Sequence, residues 1–501
     1  MATKNTSARL KEIFSEVSIV DDPPSLHKYA SSISGSTVTP LCIVFPTTID
    51  HVVQLVKEAT LLKVQLFPIS RGKNFGYGEA QGSSEGQVVV DLSRMNKIIK
   101  VDQQMAFASI EPGVSQQQMY SHLKSNGIPL QLDVTGAGLD ASITGNILER
   151  GFGHTDYGDR WSRVINLTVV TPGGEVIRTG MSAFENANAS DVYSYGIGPT
   201  IDGLFSQSNF GIVVQMTLEL KPIAEVTEMF VFSTKNQDAA GSLAEAVRIL
   251  KLNGIVNSAI HIANRSRAVG QKSNKFVGAW NMSGSITGSP GIVRAKRKVV
   301  KKIFRKYASR YRLEFLGSRS MSIIRWVNKN IITIPVYEPL QDAFDLVNGV
   351  PTDNPLQVLL NDYKLTSKNL DTANYNICFS WINAVCKAEK NSITDLLSII
   401  EPLFKQFNYE FRVTFTAVNP RTLIMISNIT YDRNDTEIAK ATSFLKNCNS
   451  LLEEKGFLPY RAGSGMYAKL PKHGQAYTKL IQQIKSAIDP KGILAPGKYN
   501  I

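Results

Sequence analysis

Residues 68–78 read PISRGKNFGYG, and no other segment limits the fold of this chain so strongly. An apolar run ends at Ile69, and glycines at 72, 76 and 78 follow it. They free successive turns for dihedrals that side chains block, so backbone amides and carbonyls can approach a bound group closely. Phe75 and Tyr77 are held between them. The spacing matches neither a nucleoside-triphosphate loop nor the usual dinucleotide turn, so the residues predict only a ligand-binding loop after a strand.

The 501 residues are enough for two or three domains with filled cores. An apolar content of 43% with 19% charge is that of an ordinary globular chain. The absence of an eighteen-residue uncharged apolar run argues against a membrane-spanning helix. The first residues lack the apolar centre of a secretory signal. Cys42, Cys378, Cys386 and Cys448 are scattered without metal spacing, and Cys42 in the apolar run 41–45 reads as a reduced core thiol. A cytoplasmic location is the expectation. Six histidines with no close pair argue against a protein-built metal centre.

The formal charge of +13 is partly local. From Arg294 to Arg312 there are ten Lys or Arg residues and no acid, with apolar positions at helical spacing. A basic amphipathic helix over 293–311 is expected. It reads as a solvated face, or as an attractor of an anionic substrate, an acidic electron-transfer partner or a lipid surface. Without aromatic platforms it does not suggest nucleic acid.

Along the chain, a strand at 41–45 leads to a helix over 49–62 capped by Thr48, and Val88 to Leu92 returns into a sheet. Ser115 caps a helix over 116–125, and residues 164–170 and 176–178 form a hairpin. Beyond Pro222 the expectation is a separate domain with strands at 227–233, 376–380 and 423–430 and helices at 239–252, 393–406 and 435–445. A last helix over 475–488 runs into a Pro/Gly-braced tail. Small-residue segments at 70–78, 132–146 and 151–158, with 198–212 as a fourth wall, suit a large cofactor whose phosphates meet amide donors.

These residues carry a resemblance. The chain is similar to the vanillyl-alcohol oxidase and p-cresol methylhydroxylase flavoproteins at SRGKNFGYG (70–78), GNILERG (145–151), GHTDYGD (153–159) and IDGLFSQSNFGI (201–212). Tyr460, Arg461 and DPKGILAPGK (489–498) match near the end. The resemblance implies an α+β protein: a PCMH-type FAD-binding domain of two α/β subdomains (1–222) and an α+β cap with an antiparallel sheet (223–455). A C-terminal segment (456–501) returns to the first domain. Cofactor contacts are expected from Pro68, Ser70, Arg71, Gly72, Lys73, Asn74, Phe75 and Gly76, with the pyrophosphate at 71–75. Others fall at Gly136, Gly138, Ser142, Gly145, Asn146, Gly151, Gly153, His154, Tyr157, Gly211, Ile212 and Lys498.

Tyr77, Tyr460 and Arg461 fall where the family clamps a phenolic oxygen. A guanidinium flanked by two phenol hydroxyls in a dry pocket stabilises a phenolate, which pushes electrons toward the para carbon as hydride leaves for flavin N5. Their alternative roles are ring-edge stacking for Tyr77, charge neutralisation near flavin N1 for Arg461 and wall packing for Tyr460. The family's aspartate aligns with Gly136 or Ala137, so Asp140 is the nearest catalytic carboxylate, with capping of the next turn as its other role. Where covalent members carry a tethering His or Tyr, in the stretch TFTAVNPRTLI (414–424), this chain has Leu423 or Ile424. Dissociable FAD is therefore expected. His154 is the remaining candidate tether, and a turn histidine is its other reading.

The implied activity is hydride removal from an alcohol or benzylic carbon of an aromatic, phenolic substrate. Oxygen or an electron-transfer protein would be the acceptor, and a homodimer the assembly. The alternatives are oxidation of a hydroxy acid or polyketide-like enol alcohol, or non-catalytic flavin binding with the basic helix as a docking face.

Overall fold

The computed structural model describes residues 2–14, 18–269, 277–353, 355 and 375–501. Three short β-branched runs, Cys42–Phe45, Val88–Asp91 and Leu66–Ile69, form a parallel sheet in that order, with Ser18–Val20 antiparallel at one edge. Strands this apolar must be covered on both faces. The helix Ile49–Leu62, capped by Thr48, buries Val52, Leu55, Val56 and Ala59 against them. A second, antiparallel sheet has the order Ile98–Asp102, Phe107–Ile110, Ile212–Glu219, Val164–Val170, Val176–Arg178. Its core takes in the helix Gln116–Ser125, capped by Ser115.

From Val226 a single seven-stranded antiparallel sheet takes over. Its order is Tyr311–Leu316, Val226–Thr234, Trp280–Gly288, Ile260–Asn264, Val413–Ala417, Thr422–Asp432, Ile377–Lys387. The helices Ala239–Leu252, Pro290–Tyr307, Lys390–Gln406 and Asp435–Glu454 share one core with it. Period-two alternation assigns the faces: Ile260 and Ile262 enter that core, while His261 and Ala263 line a cavity. The expected α+β architecture is found.

Two expectations need correction. The basic helix ends at Tyr307, and Tyr311 opens an edge strand and stacks on Phe232 at 5.3 Å, because its aromatic partner lies on the neighbouring strand. The helix buries Val293, Val300 and Phe304, while Lys298, Lys301, Lys302, Arg305 and Lys306 are exposed. The stretch 414–424 is not one strand but a hairpin, because Asn419 accepts the amides of Arg421 and Thr422 and turns the chain.

The cap rests on the glycine loop. Phe75 packs 5.2 Å from Phe379, Trp381 Nε1 donates to Phe75 O (2.9 Å), and Phe379 N donates to Ile33 O (2.8 Å). The chain end returns under the same loop: Leu66 N donates to Ile493 O (2.7 Å) and Ala495 N to Leu66 O (2.8 Å). A cavity of about 530 Å³ is enclosed between cap, loop and tail.

Candidate active site

After Ile69 the backbone takes positive φ at Gly72 (61°), Gly76 (73°) and Gly78 (104°). Space as well as conformation requires glycine at 78, where a Cβ would stand 2.2 Å from Ser464 Oγ. Among the described residues, the amides of residues 71–75 donate to no protein acceptor, although they border the cavity. Five adjacent N–H groups without a protein acceptor among the described residues are donors of the kind phosphate oxygens require. Glu79 braces the turn, accepting from Gly76 N (2.5 Å) and Ile33 N (3.3 Å); burial pushes its carboxyl up to about 7.

The opposite wall comes from the small-residue segments. Ser142 caps the helix Ile143–Leu148 through Gly145 N (2.9 Å), and a Cβ on Gly145 would meet Ser70 Oγ at 2.9 Å. Asn146 accepts from Arg160 Nη1 (2.6 Å). Glu149 pairs with Lys498 Nζ (2.9 Å) and accepts from Tyr499 OH (2.6 Å), which fixes the tail to this wall. Burial raises its pKa, but Lys498, Tyr499 and Arg461 outweigh that and hold it below the ordinary value.

Tyr77, Tyr460 and Arg461 meet at one end of the cavity. The Arg461 guanidinium lies 3.9 Å from the Tyr77 ring centroid and 5.9 Å from that of Tyr460. Its Nη2 donates to Asn74 Oδ1, and its Nε has no partner among the described residues. Tyr77 stacks at 6.2 Å on Trp381. Desolvation pushes its pKa well above the usual phenol, Tyr460 adds to the rise, and Arg461 works against it. Asn383 ties the group together, donating to Tyr77 OH (3.4 Å) and Arg461 O (3.2 Å) and accepting from Tyr460 N (3.0 Å). The sequence reading missed Asn383, and its place on a period-two cap strand was the one available signal.

Pro68, Ser70, Arg71, Gly72, Lys73, Asn74 and Phe75 border the cavity, as do Gly136, Ser142, Gly145, Asn146, Gly151, His154 and Lys498. Six other cofactor candidates do not. Gly76 and Gly138 serve as positive-φ turns, and the Asp133 carboxylate occupies the space a Cβ on Gly153 would need. Tyr157 OH donates to Leu220 O (3.2 Å) beneath the Arg163 guanidinium. Gly211 packs on Val169 and Phe205, and Ile212 pairs with Val170 in the core.

Asp140 is also outside the cavity. Its side chain is 66% exposed and 3.7 Å from Arg71 Nη2, and Ser142 makes the cap once considered for it. The segment 198–212 is a clasp rather than a fourth wall: Gln207 donates to Tyr460 O (2.9 Å), and Asn209 to Ala495 O and Ile501 O (both 3.0 Å). Leu423 is buried in the cap core and Ile424 does not border the cavity, whereas Ile426 does.

Two cavity residues were missed. His261 lies against His154, with Nε2 3.0 Å from His154 Nδ1, although no histidines are close in sequence. Arg267 also lines the cavity. Its Nη1 donates to Asn428 Oδ1 (3.0 Å), and it has no carboxylate partner among the described residues. Desolvation, with Arg412 adding to it, pulls its pKa down to about 10.

A bare amide cradle, glycines that bring walls together and a buried cationic end are what an extended flavin nucleotide and an anionic ring would require. A family model described as an FAD binding domain matches residues 40–180. The fold, the cavity and this match agree with an FAD-dependent oxidoreductase. Over 492 residues the chain is 28% identical to 1'-carboxy-chondrochloren decarboxylase of Chondromyces crocatus, covering 91% of this chain and 90% of that one. Over 500 residues it is 26% identical to the 4-cresol dehydrogenase (hydroxylating) flavoprotein subunit of Pseudomonas putida, covering 95% and 90%. The solved structure of p-cresol methylhydroxylase with substrate bound superposes with a TM-score of 0.87 at 25% identity, covering 100% of this chain and 96% of that one. The chain is similar over nearly its whole length to PCMH-type FAD-binding oxidoreductases, p-cresol methylhydroxylase among them.

Proposed function

We propose that this protein oxidises a phenolic substrate by removing hydride from its benzylic carbon, which in an alcohol bears the hydroxyl. The observation that carries the reading is the buried Arg461 guanidinium set against the rings of Tyr77 and Tyr460, its Nε without a partner among the described residues. A phenol that loses its proton there exchanges water for a fixed guanidinium and phenol hydroxyls. The ring oxygen then carries the charge that the benzylic carbon at the para position draws on as its hydride leaves. One of the two relatives matched over most of their length is named a 4-cresol dehydrogenase, an enzyme of a phenol, which supports this reading.

FAD supplies the two-electron acceptor when bound. The free amides of residues 71–75 hold its phosphates, Ser142, Gly145 and Asn146 form the facing wall, and Lys498 neutralises charge beside Glu149. FAD stays dissociable, because the cap strand offers Leu423 and Ile424 at the stretch expected to carry a tether. Residues 1–222 and 456–501 bind it and 223–455 cover it, with oxygen or an electron-transfer protein as final acceptor.

Arg267 favours a second reading, in which the substrate also carries a carboxylate, as in a hydroxy acid. A guanidinium without a counter-charge facing a cavity is costly until an anion arrives. Anaerobic mixing of the FAD-loaded protein separates the readings. The first requires 4-hydroxybenzyl alcohol to bleach the flavin and 4-methoxybenzyl alcohol to fail. Bleaching by aliphatic hydroxy acids alone would replace it with the second.

A further inference from the structure

Alcohol oxidation releases a proton as well as a hydride, and the catalytic carboxylate expected at 136 or 137 is absent. The carboxylates that line the cavity are engaged elsewhere. Glu79 accepts two backbone amides, Glu149 holds Lys498 and Tyr499, and Asp342 accepts from Thr352 Oγ1 (3.4 Å). A different group faces the place where that carboxylate would project. His154 Nε2 lies 3.6 Å from the position of a Cβ on Gly136. The other His154 nitrogen, Nδ1, is 3.0 Å from His261 Nε2, and His261 Nδ1 is 3.1 Å from Thr416 Oγ1. Both imidazoles and Thr416 line the cavity.

Resting on the phenolic-alcohol reading, we propose that His154 is the base that takes the proton of the benzylic hydroxyl on Nε2, with His261 and Thr416 as positioning residues. His154 Nδ1–H donates to His261 Nε2, and His261 Nδ1–H donates to Thr416 Oγ1. This order fixes both tautomers and leaves His154 Nε2 as an open acceptor. In the step, the O–H bond breaks and its proton passes to Nε2. The C–H bond breaks, its electron pair leaves as hydride to the oxidised cofactor, and the carbonyl bond forms. The imidazolium keeps its Nδ1–H on His261 until product departs.

The surroundings keep this base unprotonated. Burial, with Arg160 adding to it, pushes His154 down to about 4. Burial also holds His261 well below its ordinary value, helped by His154, Lys251 and Arg267. Among the described residues no carboxylate acts on either ring, since Asp133 acts on Arg160. Gly136 does not have positive φ, and the nearest neighbours of a Cβ there are Pro355 and His154.

Two measurements on the FAD-loaded protein test the assignment. Histidine nitrogen NMR is expected to show His154 with a bare Nε2 and a protonated Nδ1 from pH 5.5 to 8. An Nε2–H tautomer or an imidazolium in that range overturns it. Rapid anaerobic mixing of His154→Ala is expected to slow reduction by 4-hydroxybenzyl alcohol about 100-fold more than reduction by 4-ethylphenol, which has no benzylic hydroxyl proton to lose. Adding Gly136→Asp to that variant should restore at least about tenfold and change the acid limb of the pH profile. Equal losses on both substrates, or no loss, overturn the assignment. Failure of the phenolic reading is distinct: neither phenol then reduces the unmutated protein, and the nitrogen spectra alone decide the role of His154.

Discussion

Replacing Arg461 by alanine removes the cation that faces the ring oxygen in the proposed chemistry. A guanidinium and a phenolate about 4 Å apart interact by about 4 kcal/mol at an effective dielectric near 20. Loss of one preorganised donor to a developing oxyanion costs roughly 3–4 kcal/mol. At about 1.4 kcal/mol per decade, kcat/KM for a phenolic alcohol should fall by roughly 10²–10³. The folding cost is smaller, because the group stacks on Tyr77 and bonds to Asn74 while Glu149 keeps Lys498 and Tyr499. A ring-stacked cation contributes about 1–2 kcal/mol. The assay is stopped-flow flavin reduction for both forms with 4-hydroxybenzyl alcohol and its methyl ether, normalised to bound FAD. Arg461→Ala should also erase the discrimination between phenol and ether. A rate within about threefold of the unmutated protein at equal FAD content would refute the argument and leave Arg461 a structural role.

Acid precipitation should leave yellow FAD in the supernatant, and colour retained in the pellet would establish a covalent link instead. Gly78→Ala places a Cβ against Ser464 at a φ of 104°, so it should cost about 2–4 kcal/mol in urea unfolding and weaken FAD binding together. Phe444→Ala empties the cap core beside Phe404, Phe407 and Tyr409, for about 3–5 kcal/mol. The depressed His154 pKa gives an acid dependence. Above pH 6.5 both folded and unfolded states are neutral there; between 6.5 and about 4 only the unfolded state gains the proton, so stability falls as pH falls. Since His154 borders a cavity, the loss is about 2–3 kcal/mol at most. His154→Gln should flatten the urea midpoint between pH 6.5 and 4.5, and an unchanged slope would refute the assignment.

Much of the fold was legible because local rules suffice for it. Thr48 and Ser115 cap the helices expected of them, and the hairpin 164–178 obeys its Pro-Gly-Gly turn. The helices Ala239–Leu252 and Gln475–Ile488 have the expected limits because apolar periodicity and breakers agree at both ends. Asp140 misled because a carboxylate in a small-residue segment need not turn into the cavity: the chain aims it at Arg71 and solvent. Gly211 and Ile212 misled because a small-residue motif can serve packing as readily as a ligand.

The sequence by itself determined that a glycine-rich loop follows a strand, that its amides are free of side-chain interference, and that a sheet-rich region lies beyond Pro222. Those are consequences of backbone freedom and periodicity, which act within a few residues. Only the tertiary structure decided that His154 meets His261 across 107 positions, that Asn383 bonds to both Tyr77 and Arg461, and that Arg267 faces the cavity without a carboxylate partner among the described residues. Each of these depends on which face of a cap strand or helix turns inward and on how the cap seats on the loop. That seating is set by packing between distant segments, for which no short stretch of sequence carries the distance.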